Sequence, residues 1–185
     1  MTLAYNHKNT SQIGFGCYNG RVGCWDPRSN KKDAVLMSNV ENSHHEPVVD
    51  LIWMSSKAGN EFVTCSTDGQ VLWWDLTNLK EPTDVLKISE SDDPAAESIG
   101  ATSLEYVSDH GPKYLIGTEK GSVIMATKKP KNQAVLNINS SFGLQFGRHL
   151  GPIQSVKRNP FYARYFLTVG DWTASVISDF TLAHT

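Results

Sequence analysis

The chain has 185 residues and a formal net charge of -2, enough length to bury the core of an ordinary domain. Its composition, 39% hydrophobic and 19% charged, excludes a disordered tail, and a pI near 6.3 leaves no electrostatic footprint for nucleic acid or an anionic membrane. No apolar stretch reaches the roughly 20 residues of a membrane span, and the opening MTLAYNHKNT lacks a basic segment followed by an apolar one, so no signal peptide is expected.

In chain order the residues fall into a repeat. Leu3–Tyr5 reads as the tail of a strand. Ile13–Asp26 then gives an apolar strand, the turn pair Asn19-Gly20 and a second strand ending in Trp25-Asp26; Ala34–Met37 is an outer strand. Val48–Trp53 alternates, and Phe62–Asp75 repeats the strand pair around Asp68-Gly69 with Trp74-Asp75 at its end, followed by Thr83–Ile88. Ala101–Tyr106, Tyr114–Ala126 around Gly121, and Ala134–Ile138 form the third unit. Ile153–Arg158 and Phe166–Ile177 begin the fourth. Gly20, Gly69, Gly121 and Trp172 mark the turns about every 50 residues, slightly above the usual spacing of a propeller repeat. Asn-Gly and Asp-Gly are hairpin turn pairs because such turns need positive φ. Trp172 in the glycine slot implies a turn that needs no positive φ, or a strained one. Each unit supplies about four short strands, which is one propeller blade. The expected units span approximately 1–40, 41–90, 98–140 and 147–180, in one domain over 1–185, all-β and with no long helix.

Three cysteines, Cys17, Cys24 and Cys65, lie in strand-like runs without a CxxC, and are expected to be buried reduced thiols of a reducing compartment such as the cytoplasm. The triplets Asn9-Thr10-Ser11 and Asn139-Ser140-Ser141 match the glycosylation pattern, idle in such a compartment.

Two WD dipeptides, each five residues after an Asn/Asp-Gly turn, resemble the WD40 β-propeller signature. The resemblance implies a buried relay of His, Asp, Ser/Thr and Trp, matched in the second unit by His44, Asp68, Ser66 and Trp74. The fourth unit keeps His149 and Asp171 but has Val169 and Ile177 in the other slots. The phrases CYNGRVGCWD (17–26), STDGQVLWWD (66–75) and LTVGDWTA (167–174) are similar to axonemal dynein intermediate chains, most nearly the second intermediate chain group of the outer dynein arm. Gly151-Pro-Ile, Arg158–Tyr162, Glu81–Thr83 and Gly117–Glu119 add to a likeness that covers nearly the whole chain.

That resemblance implies a scaffold that binds the dynein heavy chain tail, meets other intermediate and light chains, and reaches the doublet microtubule indirectly in a cilium or flagellum axoneme. Two departures accompany it. The family's propeller has more blades and an N-terminal extension, and the fourth unit lacks a Trp-ending strand, so the chain resembles a fragment, a truncated variant or a diverged short relative. Terminal blades would then expose apolar flanks, and the isolated chain is expected to be poorly soluble or to close its ring with another chain. The fold alone would also suit a generic WD40 adaptor unrelated to cilia.

Chemical readings are weaker. His44, Asp68 and Ser66 invite a catalytic triad, but there is no GxSxG elbow, and in the repeat register they lie between strands, where buried polar groups pair with each other. His44, His45 and Glu46 are adjacent on the chain and would point to opposite faces of a strand, so no metal site is expected. The glycines of Gly14–Gly20 fit neither phosphate-loop pattern. No cofactor is expected. Lys128, Lys129 and Lys131 form a basic run that suits a solvated loop or a contact with an acidic surface. Glu90–Glu97 reads as an acidic, flexible inter-blade loop. Trp53, Tyr106, Phe161 and Tyr162 are candidate interface anchors wherever they reach the rim.

Overall fold

The computed structural model describes residues 1–29, 36–89, 97–106, 113–127, 135–137, 144–162 and 164–178. Sixteen strands and no helix occupy them. The first sheet is antiparallel, in the order β1 (Thr2–Tyr5), β2 (Ile13–Gly16), β3 (Val22–Trp25) and β4 (Leu36–Met37). The second runs β5 (Val48–Trp53), β6 (Glu61–Ser66), β7 (Gln70–Asp75) and β8 (Asp84–Ser89). The third holds β9 (Ala101–Tyr106), β10 (Lys113–Thr118), β11 (Ser122–Thr127) and β13 (Leu144–Arg148). The fourth holds β14 (Ile153–Arg158), β15 (Tyr165–Gly170) and β16 (Ala174–Ser178). The strands β1, β5, β9 and β14 lie side by side in succession, so these sheets are consecutive blades of a propeller with those strands innermost.

One element departs from its expected place. Residues 134–138 were expected to be the outer strand of the third blade. Instead β12 (Val135–Asn137) pairs in parallel with β8 of the second blade, Leu136 opposite Ile88, and β13 takes the outer place in the third. Both segments are short, of three and five residues, so sequence pattern cannot say which sheet edge each one meets.

Strand alternation builds the interior, because successive side chains point to opposite faces. On β6, Phe62 packs with Val22, Cys24 and Ala4 of the first blade. Its neighbours Val63 and Cys65 pack with Ile99, Leu104 and Ile116 of the third. On β10 the same split recurs: Tyr114 and Ile116 face back to the second blade, and Leu115 faces forward to Ile153, Val156 and Phe166 of the fourth. The hydrophobic core is therefore three inter-blade layers.

Polar stitches cross the same layers. Trp53 Nε1–H donates to the Ala4 carbonyl at 3.0 Å, and Trp73 Nε1–H to Tyr114 Oη at 3.2 Å. Asp50 accepts from the Leu104 amide at 3.0 Å. Glu105 accepts from the Lys157 ammonium at 3.1 Å and, at 3.4 Å, from the Arg158 amide.

The hairpin turns behave as their residues demand. Gly20 and Gly121 both have φ of +80°, and a Cβ at either would overlap the carbonyl of His44 or His149 in the following connection. Gly20→Ala should therefore cost at least the 1–2 kcal/mol of a left-handed alanine, read as a lowered urea midpoint. Trp172 sits in a turn closed by the Gly170 amide and the Thr173 carbonyl at 2.8 Å. No non-glycine residue has positive φ among the described residues, so that turn follows the first of the two expectations. The three cysteines are free; Cys24 and Cys65 are buried, but Cys17 is only half-buried because it begins the β2–β3 turn. Burial pushes both buried thiols up, Cys65 well above its ordinary range.

Candidate functional site

Four elements of the second blade converge on one buried polar chain: the connection before β5, the strands β6 and β7, and the turn between them. His44 Nε2 lies 2.8 Å from Thr64 Oγ1, and Trp74 Nε1–H donates to the same oxygen at 2.9 Å. His44 Nδ1 lies 3.2 Å from an Asp68 carboxylate oxygen. The side chains of His44 and Asp68 are 0% and 5% exposed.

The donor inventory fixes the direction of this chain. Indole N–H can only donate, so Thr64 accepts from Trp74 and its own proton is free for His44 Nε2. His44 then carries its proton on Nδ1 and donates to Asp68. Asp68 further accepts from the amides of His45 at 3.0 Å and Gln70 at 2.9 Å. Every member is thereby paired, which is what a buried polar network requires.

The hydroxyl in the middle is Thr64, and not Ser66 as the sequence register suggested. Thr64 and Ser66 share one face of β6, two residues and roughly 6.6 Å apart, so alternation could not separate them. Ser66 instead donates to the Glu46 carbonyl at 3.1 Å.

The fourth blade corrects a second assignment. His149 Nε2 meets Thr168 Oγ1 at 2.9 Å, but its Nδ1 meets the Thr173 hydroxyl. Asp171 is exposed and accepts from Gln154 Nε2 at 2.6 Å. The cause is turn length. The pair Cys65–Val71 brackets residues 66–70, whereas Val169–Ala174 brackets only 170–173. One residue fewer moves Asp171 off the histidine and leaves Thr173 in its place. Val169 is not the hydroxyl slot there; Thr168 is. Ile177 pairs with Phe166 as Trp74 pairs with Phe62.

The Asp68 carboxyl is held below its usual range. Burial opposes its charge, but the hydrogen bond from His44, with those from the Gln70 and His45 amides, outweighs that. Its folded pKa lies below the unfolded value, so its stabilisation is present above about pH 3.9 and is lost as pH falls through the folded pKa. Asp50 runs the other way. Burial raises it more than the Leu104 and Leu51 amides and Lys157 lower it, so its contribution is lost as pH rises through the folded value. The stability gap between the wild type and Asp68→Asn should therefore shrink as urea midpoints are followed from pH 6 to pH 3. A gap independent of pH would contradict the ionised role.

The chemistry these groups can perform is structural. Thr64 is fully buried and its hydroxyl is engaged at both ends, so it has no path to a substrate. A cleft of about 320 Å³ borders this region, lined by Glu41, Ser43, His45, Gln70, Glu81 and Val85 among others. Its hydroxyl, Ser43, is committed to the Asn39 carbonyl and Ser38 Oγ, both at 2.6 Å. No grouping of three metal-ligating side chains occurs among the described residues.

The candidate anchors divide sharply. Trp53 is 3% exposed; its ring centroid lies 5.2 Å from that of Phe62, so it belongs to the core. Tyr106 is half-buried and stacks on Tyr114 with centroids 5.0 Å apart. Phe161 and Tyr162 are 88% and 69% exposed. They sit on the β14–β15 loop, where the Asn159 side chain accepts from both of their amides at 2.9 and 3.1 Å. Lys128, Lys129 and Lys131 lie outside the described residues, as does most of the acidic segment 90–97.

Comparison with known proteins agrees with this architecture. The family model described as the Dynein axonemal intermediate chain 3 WD40 domain matches residues 89–181. The mouse dynein axonemal intermediate chain 2 is 44% identical over 180 residues, covering 97% of this chain and 28% of that relative. The ciliary dynein intermediate chain 3 of Heliocidaris crassispina is 44% identical over 182 residues, covering 97% and 29%. The 70 kDa flagellar outer-arm intermediate chain of Chlamydomonas reinhardtii is 36% identical over 173 residues, covering 93% and 29%. The chain thus spans a little under a third of the length of these relatives. The four-sheet architecture, the buried relay and these matches together place the chain in the WD40-domain family of axonemal dynein intermediate chains.

Proposed function

We propose that this chain is a non-catalytic scaffold element of an axonemal dynein, in the axoneme of a cilium or flagellum. It would bind the tail of a dynein heavy chain beside other intermediate and light chains, and support assembly of the arm on the doublet microtubule. The observation that carries this reading is identity of 36–44% across nearly the whole chain to intermediate chains named axonemal, ciliary and flagellar outer arm. A propeller already holds its loops in place, so partner binding costs little ordering. The polar groups that could suggest catalysis are consumed in holding the second and fourth blades. ATP hydrolysis would then belong to the heavy chain.

Of the candidate anchors, Phe161 and Tyr162 fit an interface best. They are exposed aromatics on a loop braced by Asn159, the kind of side chain enriched at binding hot spots. The test is a tagged pull-down of this chain from ciliated cells, read by mass spectrometry. Enrichment of axonemal dynein heavy chains, reduced by Phe161→Ser with Tyr162→Ser, is the expected result. A folded chain that enriches only adaptor complexes unrelated to cilia would replace this reading with the generic WD40 scaffold.

A further inference from the structure

The seams between blades are not equally closed. Between the second and third blades the packing is sealed out to the outer strand, where Leu86 and Ile88 of β8 are 3% and 0% exposed. Between the first and second blades it stops short. Leu36 of β4 pairs with Cys24 and Val85 of β8 pairs with Leu72. Cross-strand partners share a face, and Cys24 and Leu72 both pack in the first seam, so Leu36 and Val85 belong to that seam as well. They are 40% and 37% exposed. The outer part of this seam is the cleft of about 320 Å³. Its apolar floor comes from Leu72, Pro82 and Val85, and Glu41 and Glu81 also line it. Both glutamates are exposed, and among the described residues neither carboxylate has a hydrogen bond or an ion pair. No lysine or arginine lines the cleft among the described residues. Asn42 Nδ2–H donates to the Lys80 carbonyl at 3.2 Å, which ties the connection before β5 to the β7–β8 connection and fixes the two walls relative to each other.

We propose that this cleft docks a lysine or arginine side chain from an extended basic segment of a partner protein. Such a side chain has two halves, an apolar methylene stem that packs on hydrophobic surface and a cationic head that stays at the water boundary. The stem matches the floor of Leu72, Pro82 and Val85. The head matches two carboxylates that lack a cation, and ionised N–H···O pairs are the stronger class of hydrogen bond. A wholly apolar occupant would desolvate both carboxylates without a partner, and an acidic one would be repelled. Because the walls are already held together, docking costs little ordering. This inference rests on the first seam alone and is independent of the dynein reading.

The experiment is fluorescence anisotropy of the 185-residue chain with a labelled peptide of alternating alanine and lysine, beside the same peptide with glutamine for lysine. Saturable binding of the lysine peptide only is the expected result. Glu41→Gln with Glu81→Gln should weaken it about tenfold, the scale of one lost charge-assisted pair. Val85→Ser should weaken it less, through the stem. Glu119→Gln removes an exposed carboxylate on the β10–β11 turn, outside the cleft, and should change nothing. In proton NMR the imidazole signals of His45, which lines the cleft, should move on titration while those of His7 stay. Circular dichroism checks that the variants remain folded. No saturable binding up to about 1 mM peptide, the weak end of specific affinity, would overturn the proposal. So would equal affinity for the two peptides, or a double glutamine variant that binds as the wild type does.

Discussion

Replacing Thr64 with valine should lower unfolding stability by about 3–5 kcal/mol. The side chain keeps its shape, but two buried groups, Trp74 Nε1–H and His44 Nε2, lose their shared partner. An unsatisfied buried donor or acceptor costs about 1–3 kcal/mol, and here a valine methyl faces both. Thr64→Ser keeps the hydroxyl and should recover most of the loss. Ser66→Ala removes a hydrogen bond to the Glu46 carbonyl and one from the Asp68 amide and should cost about 1–2 kcal/mol. Urea titration of the three variants at one protein concentration, pH 7, decides between the two hydroxyls. Comparable losses for Thr64→Val and Ser66→Ala would mean that the relay does not run through Thr64. The concentration must be held fixed, because association shifts apparent stability.

The second large effect concerns the aromatic anchors. Trp53→Ala should cost about 3–5 kcal/mol, the range for truncating a large buried side chain. Trp53 fills the layer between the first two blades, packs on Phe62 and donates to the Ala4 carbonyl. Phe161→Ala and Tyr162→Ala should leave the urea midpoint unchanged, because both rings stand in solvent. The pair of results separates core from surface with one measurement. A Trp53→Ala chain as stable as the wild type would mean that the first blade is not held by this layer. A sharp loss for Phe161→Ala would mean that the β14–β15 loop packs inward.

Much of the fold was legible in the sequence because its signals are local. Hairpins announce themselves through Asn-Gly and Asp-Gly pairs, whose turn conformation only a few residues tolerate. Strands announce themselves through period-two alternation of β-branched and aromatic residues. Those two signals located the strand pairs around Gly20, Gly69 and Gly121 and their return about every 50 residues, and so the propeller class. The WD dipeptides and their surrounding phrases carried the family resemblance, and His44, Asp68 and Trp74 as relay members came with it.

What needed the tertiary structure depends on contacts between segments distant in sequence. Thr64 and Ser66 have the same chemistry on the same face, and only the position of the His44 ring selects between them. Asp171 was lost from the relay through a turn one residue shorter than its counterpart, a count that strand pairing sets and composition does not. Trp53 and Phe161 are both aromatic and both near strand ends, yet one meets a neighbouring blade and the other meets water. The short segment Val135–Asn137 reads as a strand either way; its choice of β8 over β11 is settled by which edge is open. Local sequence determines backbone conformation, because it acts through φ, ψ and alternation. Which of two equivalent side chains is buried, bonded or free is decided only when the blades stack, because burial belongs to pairs of surfaces and not to residues.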